Sequence, residues 1–183
     1  MRFNFIDVIK SKVRGTYNLR QLIRDGLKIG DNVHIMEECK LDPSHCWLIE
    51  IGNNVTLAPR VHILAHDAST KKELNYVRIQ KVKIGNNVFI GAGSIILPGV
   101  KIGDNVIVGA GSVVSRSLDG NGVYAGVPAK KITDYDSYMD KHRKNIESGA
   151  YPVFDETYKI GNITEDKKKE MINLVLNQEG YII

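Results

Sequence analysis

Aliphatic residues recur every six positions through the middle of the chain. They stand at Ile84, Ile90, Ile96, Ile102, Val108 and Val114. A period of six fits neither the 3.6-residue stripe of an amphipathic helix nor the alternation of a strand, but it is typical of a β-helix built from hexapeptides. Glycine directly follows four of these residues, which suits the sharp backbone bend at the corner of each coil. The pattern predicts an all-β fold of short parallel strands stacked coil upon coil.

The same repeat occurs earlier in the chain, with two interruptions. It begins at Ile29, is lost across 42–50, resumes at Ile51 and is lost again across about 67–81. Three hexads close one triangular coil, so 84–119 supplies two coils and the earlier repeats supply about two more. The second interruption is polar and charged, and we interpret it as a loop that leaves the side of the β-helix.

A C-terminal extension of different character follows the repeat. Asp134 can begin a short helix over 135–147, and Thr164 is a good N-cap for a second helix. The apolar residues within 171–176 give the second helix an apolar face, and Gly180 is expected to stop it. We expect this extension to cover the open end of the β-helix or to contact another subunit.

The N-terminal segment also has a helical pattern. Leu19, Leu22 and Ile23 form an apolar stripe, which Gly26 ends, and a weaker stripe precedes it. The chain is therefore predicted to contain three parts: a helical segment 1–26, a β-helix domain 27–132 with the loop 67–81, and a helical extension 133–183.

Composition and charge narrow the function classes. The 183 residues are 43% hydrophobic, and 25 Lys and Arg against 21 Asp and Glu leave a net charge of +4. That mild excess can attract an anionic cofactor, but it lacks the clustered basic face of a nucleic-acid-binding protein. Cys39 and Cys46 form neither a CxxC motif nor a disulfide framework. With no signal-peptide pattern and no membrane-spanning stretch, a soluble cytoplasmic protein is expected.

The first candidate catalytic residue lies at the second interruption. His66 follows Ile63-Leu64-Ala65, at the point where the loop leaves the β-helix. Histidine titrates near neutral pH, so it can accept a proton from a hydroxyl or amine that attacks a carbonyl. Loops held by rigid elements are also common positions for catalytic groups. A solvated or structurally satisfied histidine remains the alternative.

Three features together resemble a known family. The hexads, the loop after His66 and the segment Tyr124-Ala125-Gly126-Val127-Pro128-Ala129-Lys130 resemble the hexapeptide-repeat acyltransferases, whose domain is a left-handed parallel β-helix. The chain looks most like the galactoside, maltose, nodulation-factor and polysaccharide O-acetyltransferases of that family. The resemblance covers about 27–132 and implies a left-handed β-helix.

The resemblance also implies a reaction and its cofactor. His66 falls where the family has its catalytic histidine, which removes a proton from the acceptor hydroxyl as that hydroxyl attacks acetyl-CoA. No metal is implied, and neither cysteine is needed as a nucleophile. By position, the family's contacts to CoA fall on Ala92, Ala110, Ser115, Arg116 and Lys130. At the last position the family often has arginine, and lysine keeps the charge but loses the bidentate fork.

The first interruption is a candidate acceptor site. Asp42 or His45 could bind sugar hydroxyls, and Trp47 could provide a stacking surface, although Asp42-Pro43-Ser44 also reads as a simple tight turn. The related sugar acetyltransferases have an asparagine in the preceding strand, where this chain has Lys40. The identity of the acceptor is therefore left open.

Four other functions remain as alternatives. A gamma-class carbonic anhydrase binds zinc through three histidines, but His34 and His45 are too close in sequence to the pair His62 and His66. A serine O-acetyltransferase or an amino-sugar N-acetyltransferase normally has a larger domain before the β-helix. A non-catalytic β-helix is the fourth alternative.

The resemblance also implies a homotrimer with active sites between subunits.

Overall fold

The computed structural model describes residues 18–183, and these divide into two units, 18–135 and 136–183. Residues 1–17 of the expected N-terminal helical segment therefore lie outside the described residues. In the remainder, helix α1 spans Leu19–Arg24 with Asn18 as its N-cap and buries Leu22.

The first unit is a parallel β-helix of four coils, each contributing one short strand to each of three sheets. The first coil contains β1 Lys28–Ile29, β2 His34–Ile35 and β3 Lys40–Leu41. The second contains β4 Ile49–Ile51, β5 Val55–Leu57 and β6 His62–Ile63. A hairpin follows, with β7 His66–Asp67, helix α2 Lys71–Leu74 and β8 Arg78–Ile79.

The last two coils contain no insertion. The third contains β9 Val82–Ile84, β10 Val88–Ile90 and β11 Ile95–Ile96, and the fourth contains β12 Lys101–Ile102, β13 Val106–Val108 and β14 Val113–Val114. The chain then adds β15 Gly122–Ala125 and the antiparallel β16 Lys130–Asp134 to the edge of one sheet.

Three parallel sheets form the sides of the β-helix. Sheet 1 has the order β1-β4-β9-β12, sheet 2 has β2-β5-β10-β13-β15 followed by β16, and sheet 3 has β3-β6-β11-β14. We name each corner by the sheets that it joins. The aliphatic residues of the six-residue repeat from 84 to 114 all point inward, since each is at most 2% exposed. The repeat predicted from the sequence is therefore the core of the β-helix.

Corner 1–2 shows why the repeat contains asparagine. Five asparagines there adopt left-handed φ angles between 53° and 56°, a conformation that asparagine tolerates better than most residues. The side-chain amides of the first four donate to the asparagine of the next coil over 2.9–3.0 Å, which forms a continuous ladder. The ladder members are Asn32, Asn54, Asn87, Asn105 and Asn121.

The second unit combines helices with a small sheet. Helix α3 spans Tyr135–Glu147, as expected, and helix α4 spans Glu165–Leu174 with the expected Thr164 N-cap, whose side chain accepts from the Lys167 N–H. The expected stop at Gly180 is wrong, because α4 ends at Leu174. Strands β17 Val153–Phe154 and β18 Tyr181–Ile182 pair in parallel and were not predicted. Across 18–183, no helix has the length and apolar character needed to cross a membrane.

Candidate active site

Both interruptions of the repeat lie at corner 3–1, on neighbouring coils. The facing residues Leu41 and Ile63 are 22 positions apart, Ile63 and Ile96 are 33 apart, and Ile96 and Val114 are 18 apart. Since an uninterrupted coil takes 18 residues, the first two coils carry insertions of 4 and 15 residues. Stacking brings these insertions together, so residues distant in sequence meet at one corner.

Asp42 and His66 form the centre of this corner. The His66 ring Nδ1 lies 2.5 Å from Asp42 Oδ2, and the same oxygen accepts from the Ala65 N–H at 2.9 Å. Burial raises the pKa of the Asp42 carboxyl, but the hydrogen bonds from His66, Ala65 and Ser44 outweigh it, and the pKa lies below its usual value. The ionised carboxylate therefore accepts the Nδ1–H of His66 and leaves Nε2 free to accept a proton.

This geometry changes the interpretation of Asp42. Its side chain is fully buried, and its other oxygen accepts from the Ser44 N–H at 3.1 Å. A carboxylate enclosed in this way has no surface for a sugar hydroxyl, so the acceptor-binding role expected for Asp42 does not fit. The tight turn of Asp42-Pro43-Ser44 is present, and it is the turn that presents the carboxylate to His66.

His45 and Trp47 extend the corner beyond His66. The His45 ring lies 5.1 Å from the His66 ring and 5.5 Å from the Trp47 ring, measured between centroids. Trp47 is 53% exposed, so its face is open to a ligand. His45 Nδ1, in contrast, is buried, and it has no hydrogen-bond partner among residues 18–183. Lys40 is exposed on β3, the strand that precedes this corner.

Sequence reasoning missed a possible metal-ligand set at the same corner. Ligand atoms of Asp42, His45 and His66 all lie within 4.8 Å of one another. Zinc ligands were expected among histidines alone, at the spacing of the gamma-class carbonic anhydrases. Counting the 22-residue register from Leu41 to Ile63 would have placed Asp42 beside the turn that carries His66.

The second interruption is an ordered hairpin. Strands β7 and β8 pair antiparallel, an Asp67–Arg78 ion pair spans them at 3.4 Å, and the Thr70 hydroxyl donates to the Tyr76 carbonyl at 2.8 Å. The hairpin nevertheless exposes large apolar side chains, and Tyr76 is 77% exposed. A rigid hairpin with exposed aromatic surface thus begins at His66 itself.

The residues expected to bind the cofactor lie on other corners or other coils of the β-helix than His66. Ala92 and Ala110 occupy equivalent positions on neighbouring coils at corner 2–3, where the Ala92 carbonyl accepts from the Gly111 N–H at 2.8 Å. The space beside the following Gly93 and Gly111 is open. The strands of sheet 3 separate this small-residue corner from His66 in the same chain.

The remaining cofactor candidates lie near the last coil. Ser115 and Arg116 are exposed at corner 3–1, directly after β14, and Lys130 is exposed at the start of β16. One chain therefore brings together Asp42, His45, Trp47 and His66, but it does not bring Ala92 or Ala110 to them.

Comparison with known proteins places this parallel β-helix among the hexapeptide-repeat enzymes. Residues 81–116 match the family model for the bacterial transferase hexapeptide (six repeats). The chain is similar to protein CapG of Staphylococcus aureus, with 41% identity over 127 residues that cover 67% of this chain and 74% of CapG.

Two solved structures are also similar. A maltose O-acetyltransferase from Clostridium difficile is 43% identical, with a TM-score of 0.53 and coverage of 58% of this chain and 57% of that chain. A galactoside acetyltransferase in complex with coenzyme A is 26% identical, with a TM-score of 0.51 and coverage of 66% and 71%. The chain spans about three fifths of the length of three further curated relatives.

The chain belongs to the hexapeptide-repeat acyltransferase family. Its β-helix is the left-handed one of that family, and the fold and enzyme class expected from the sequence are confirmed.

Proposed function

We propose that this protein transfers an acetyl group from acetyl-CoA to a hydroxyl of a sugar or polysaccharide precursor. The observation that carries the proposal is the Asp42–His66 pair, set on a β-helix similar to a maltose O-acetyltransferase and to a galactoside acetyltransferase that binds coenzyme A. In this pair, His66 Nε2 is the nitrogen that can accept the proton of a hydroxyl nucleophile.

The reaction is a direct transfer in which His66 carries the proton. His66 Nε2 removes the hydroxyl proton while the acceptor oxygen attacks the thioester carbonyl. The new C–O bond forms, the C–S bond breaks, and His66 returns the proton to the thiolate of CoA. Asp42 holds the Nδ1–H and stabilises the imidazolium between these two steps.

Neither cysteine is suited to an acyl-enzyme route. Cys46 is fully buried, and the Cys39 thiol donates to the Ala58 carbonyl at 3.1 Å. Burial raises the pKa of both thiols, which disfavours the reactive thiolate. Direct attack on acetyl-CoA by the acceptor is the simpler course.

The cofactor groove is proposed to lie between two subunits of a homotrimer. Ala92 and Ala110 provide small side chains beside open glycines, so a pantetheine arm can approach the backbone there. Because that corner is not the corner of His66, one chain's groove needs the His66 of a neighbour. We expect Ser115, Arg116 and Lys130 to contact the nucleotide end of the cofactor, because their polar and cationic groups suit phosphate.

The acceptor is proposed to bind against Trp47. This exposed indole offers an amphipathic face for a sugar ring, and His45 lies between it and His66. The hydroxyl to be acetylated would then be held within reach of His66 Nε2.

A screen of acceptors tests the proposal. Release of free CoA thiol from acetyl-CoA is measured with simple sugars, nucleotide sugars, amino sugars and serine, and products are identified by mass spectrometry. We expect acetyl esters on a saccharide hydroxyl. Acetylation confined to serine or to an amine would contradict the proposed acceptor, and no acceptor-dependent thiol release with any class would contradict the proposed activity.

A further inference from the structure

His45 Nδ1 is a polar atom that the proposed reaction does not use. It is buried and has no hydrogen-bond partner in the described part of the chain, an unfavourable state for an imidazole nitrogen. It lies 4.0 Å from Asp42 Oδ1, which is too long for a hydrogen bond. A nitrogen in this state is ready to bind a Lewis acid that enters the corner.

The neighbouring groups complete a set of ligands. Two imidazole nitrogens and one carboxylate oxygen, from His45, His66 and Asp42, lie within 4.8 Å of one another. Zinc takes such donors tetrahedrally and keeps a fourth position open when three come from protein. Bonds of about 2.0–2.1 Å put neighbouring donors about 3.3 Å apart. His66 Nδ1 lies 2.5 Å from Asp42 Oδ2, and His45 Nδ1 lies 4.0 Å from Asp42 Oδ1, so the two nitrogen–carboxylate separations fall on either side of that value.

We propose that Asp42, His45 and His66 bind a zinc ion, and that zinc bound there inhibits the enzyme. In the free enzyme, Asp42 accepts the Nδ1–H of His66, and Nε2 carries the lone pair. A zinc ion on Nδ1 forces the ring proton onto Nε2, with no net loss or gain of a proton. Nε2 then donates a hydrogen bond and no longer accepts one, so His66 cannot take the hydroxyl proton. The inhibition rests on the proposed function, but the binding does not.

Zinc binding is tested first, without acetyl-CoA or acceptor. Zn²⁺ is titrated calorimetrically into untagged, chelator-treated protein, and the chain's single tryptophan, Trp47, reports on the site by fluorescence because it lies beside His45. We expect one zinc per chain. His45→Ala should raise the Kd at least ~10-fold, and the matched control His62→Ala, a histidine on β6 outside the cluster, should not change it.

Cobalt gives an independent readout of the ligand set. Co²⁺ bound at this corner should produce visible absorption bands that Zn²⁺ abolishes and that are absent from His45→Ala and from His45→Gln. Circular dichroism of both variants shows that they are folded. The absence of saturable zinc binding, or equal binding by wild type and the two folded His45 variants, would overturn the proposal.

Inhibition is measured second, as activity with zinc relative to the same variant without it. Zinc should lower kcat/KM of the wild type, a chelator should restore it, and the half-inhibitory concentration should rise in His45→Ala by the same factor as the Kd. Saturating zinc that leaves kcat/KM unchanged would overturn the inhibitory role. A protein that binds zinc but transfers no acetyl group would instead contradict the proposed function.

Discussion

Among single residues, Asp42 is proposed to act through His66. The buried carboxylate accepts from His66 Nδ1 at 2.5 Å and from the Ala65 N–H at 2.9 Å, which sets both the ring orientation and the tautomer. The sequence alone identified both residues as candidates but not their relation, because the 4-residue insertion hides the register that places one beside the other.

Replacing the carboxylate by an amide should remove most of the activity. In Asp42→Asn, one orientation of the amide turns its NH2 towards the Ser44 N–H and the other turns it towards His66 and the Ala65 N–H, so the side chain can no longer satisfy all three donors and the Nδ1–H tautomer of His66 loses its preference. We expect kcat to fall at least ~10²-fold with a small change in KM for acetyl-CoA. Steady-state kinetics measure both constants. Asp67→Asn, which changes the half-buried carboxylate next to His66, is the matched control, and an equal loss in both variants would argue against the positioning role.

At the scale of elements, the corners of the β-helix determine stability. The asparagine ladder at corner 1–2 joins every coil through side-chain amides and accommodates a left-handed backbone. The repeat predicted a bend at these positions. It did not predict a ladder, because hydrogen bonds between coils depend on their vertical register.

A substitution in the middle of the ladder should destabilise the fold. Asn87→Ala removes hydrogen bonds to Asn54 and Asn105 and places alanine at φ 54°. We expect a loss of about 2–3 kcal/mol, since each exposed hydrogen bond contributes modestly and the left-handed backbone adds about 1 kcal/mol. Thermal unfolding measures the effect. Asn87→Gly loses the same hydrogen bonds, but glycine adopts the left-handed backbone without strain. It should therefore destabilise the protein less than Asn87→Ala, and a larger loss in Asn87→Gly would contradict this explanation.

An ion-pair cluster on sheet 1 should make stability depend on acid pH. Glu50 lies 2.8 Å from Lys81 and 3.0 Å from Lys28, and hydrogen bonds from these lysines lower its pKa from 4.5 to about 2. Because the folded pKa is lowered, the stabilisation is present above the ordinary pKa and is lost as the pH falls towards 2.

Thermal unfolding across pH checks this dependence. Glu50→Gln should unfold at a lower temperature than wild type at pH 7, and the two midpoints should converge as the pH falls below about 4. Glu73→Gln, which changes an exposed glutamate on α2, should show no such convergence. A constant difference between Glu50→Gln and wild type at all pH values would show that the ion pairs are not its cause.

At the scale of the whole molecule, the proposed active site is shared between subunits. Ala92 and Ala110 occupy one corner of a chain and His66 another, with sheet 3 between them. In the proposed trimer, a neighbouring copy brings its small-residue groove to His66, so we expect activity to require the assembly.

Complementation between variants tests this sharing. His66→Ala removes the base, and Ala110→Trp fills the groove, so each variant alone should be inactive. After the two are unfolded and refolded together in equal amounts, about a quarter of the sites in a cyclic trimer combine an intact base with an intact groove. We expect that fraction of wild-type activity. An inactive mixture with mixed trimers present would show that the sites lie within single chains.

The sequence predicted the regular part of this molecule better than the irregular part. The six-residue period from Ile84 to Val114 is a direct consequence of side chains pointing inward, so it specified the β-helix. Strands β17 and β18 were not predicted, because two residues outside the six-residue repeat are too few to show a period. The contact between Asp42 and His66 was not predicted, because it depends on which residues of neighbouring coils face each other.

The role of His66 as general base is tested most directly by turnover and cofactor binding in His66→Ala. We expect kcat to fall ~10²–10⁴-fold, because the general base is removed, while acetyl-CoA binds with unchanged Kd and the β-helix remains folded. A His66→Ala variant that retains near wild-type kcat would contradict this role.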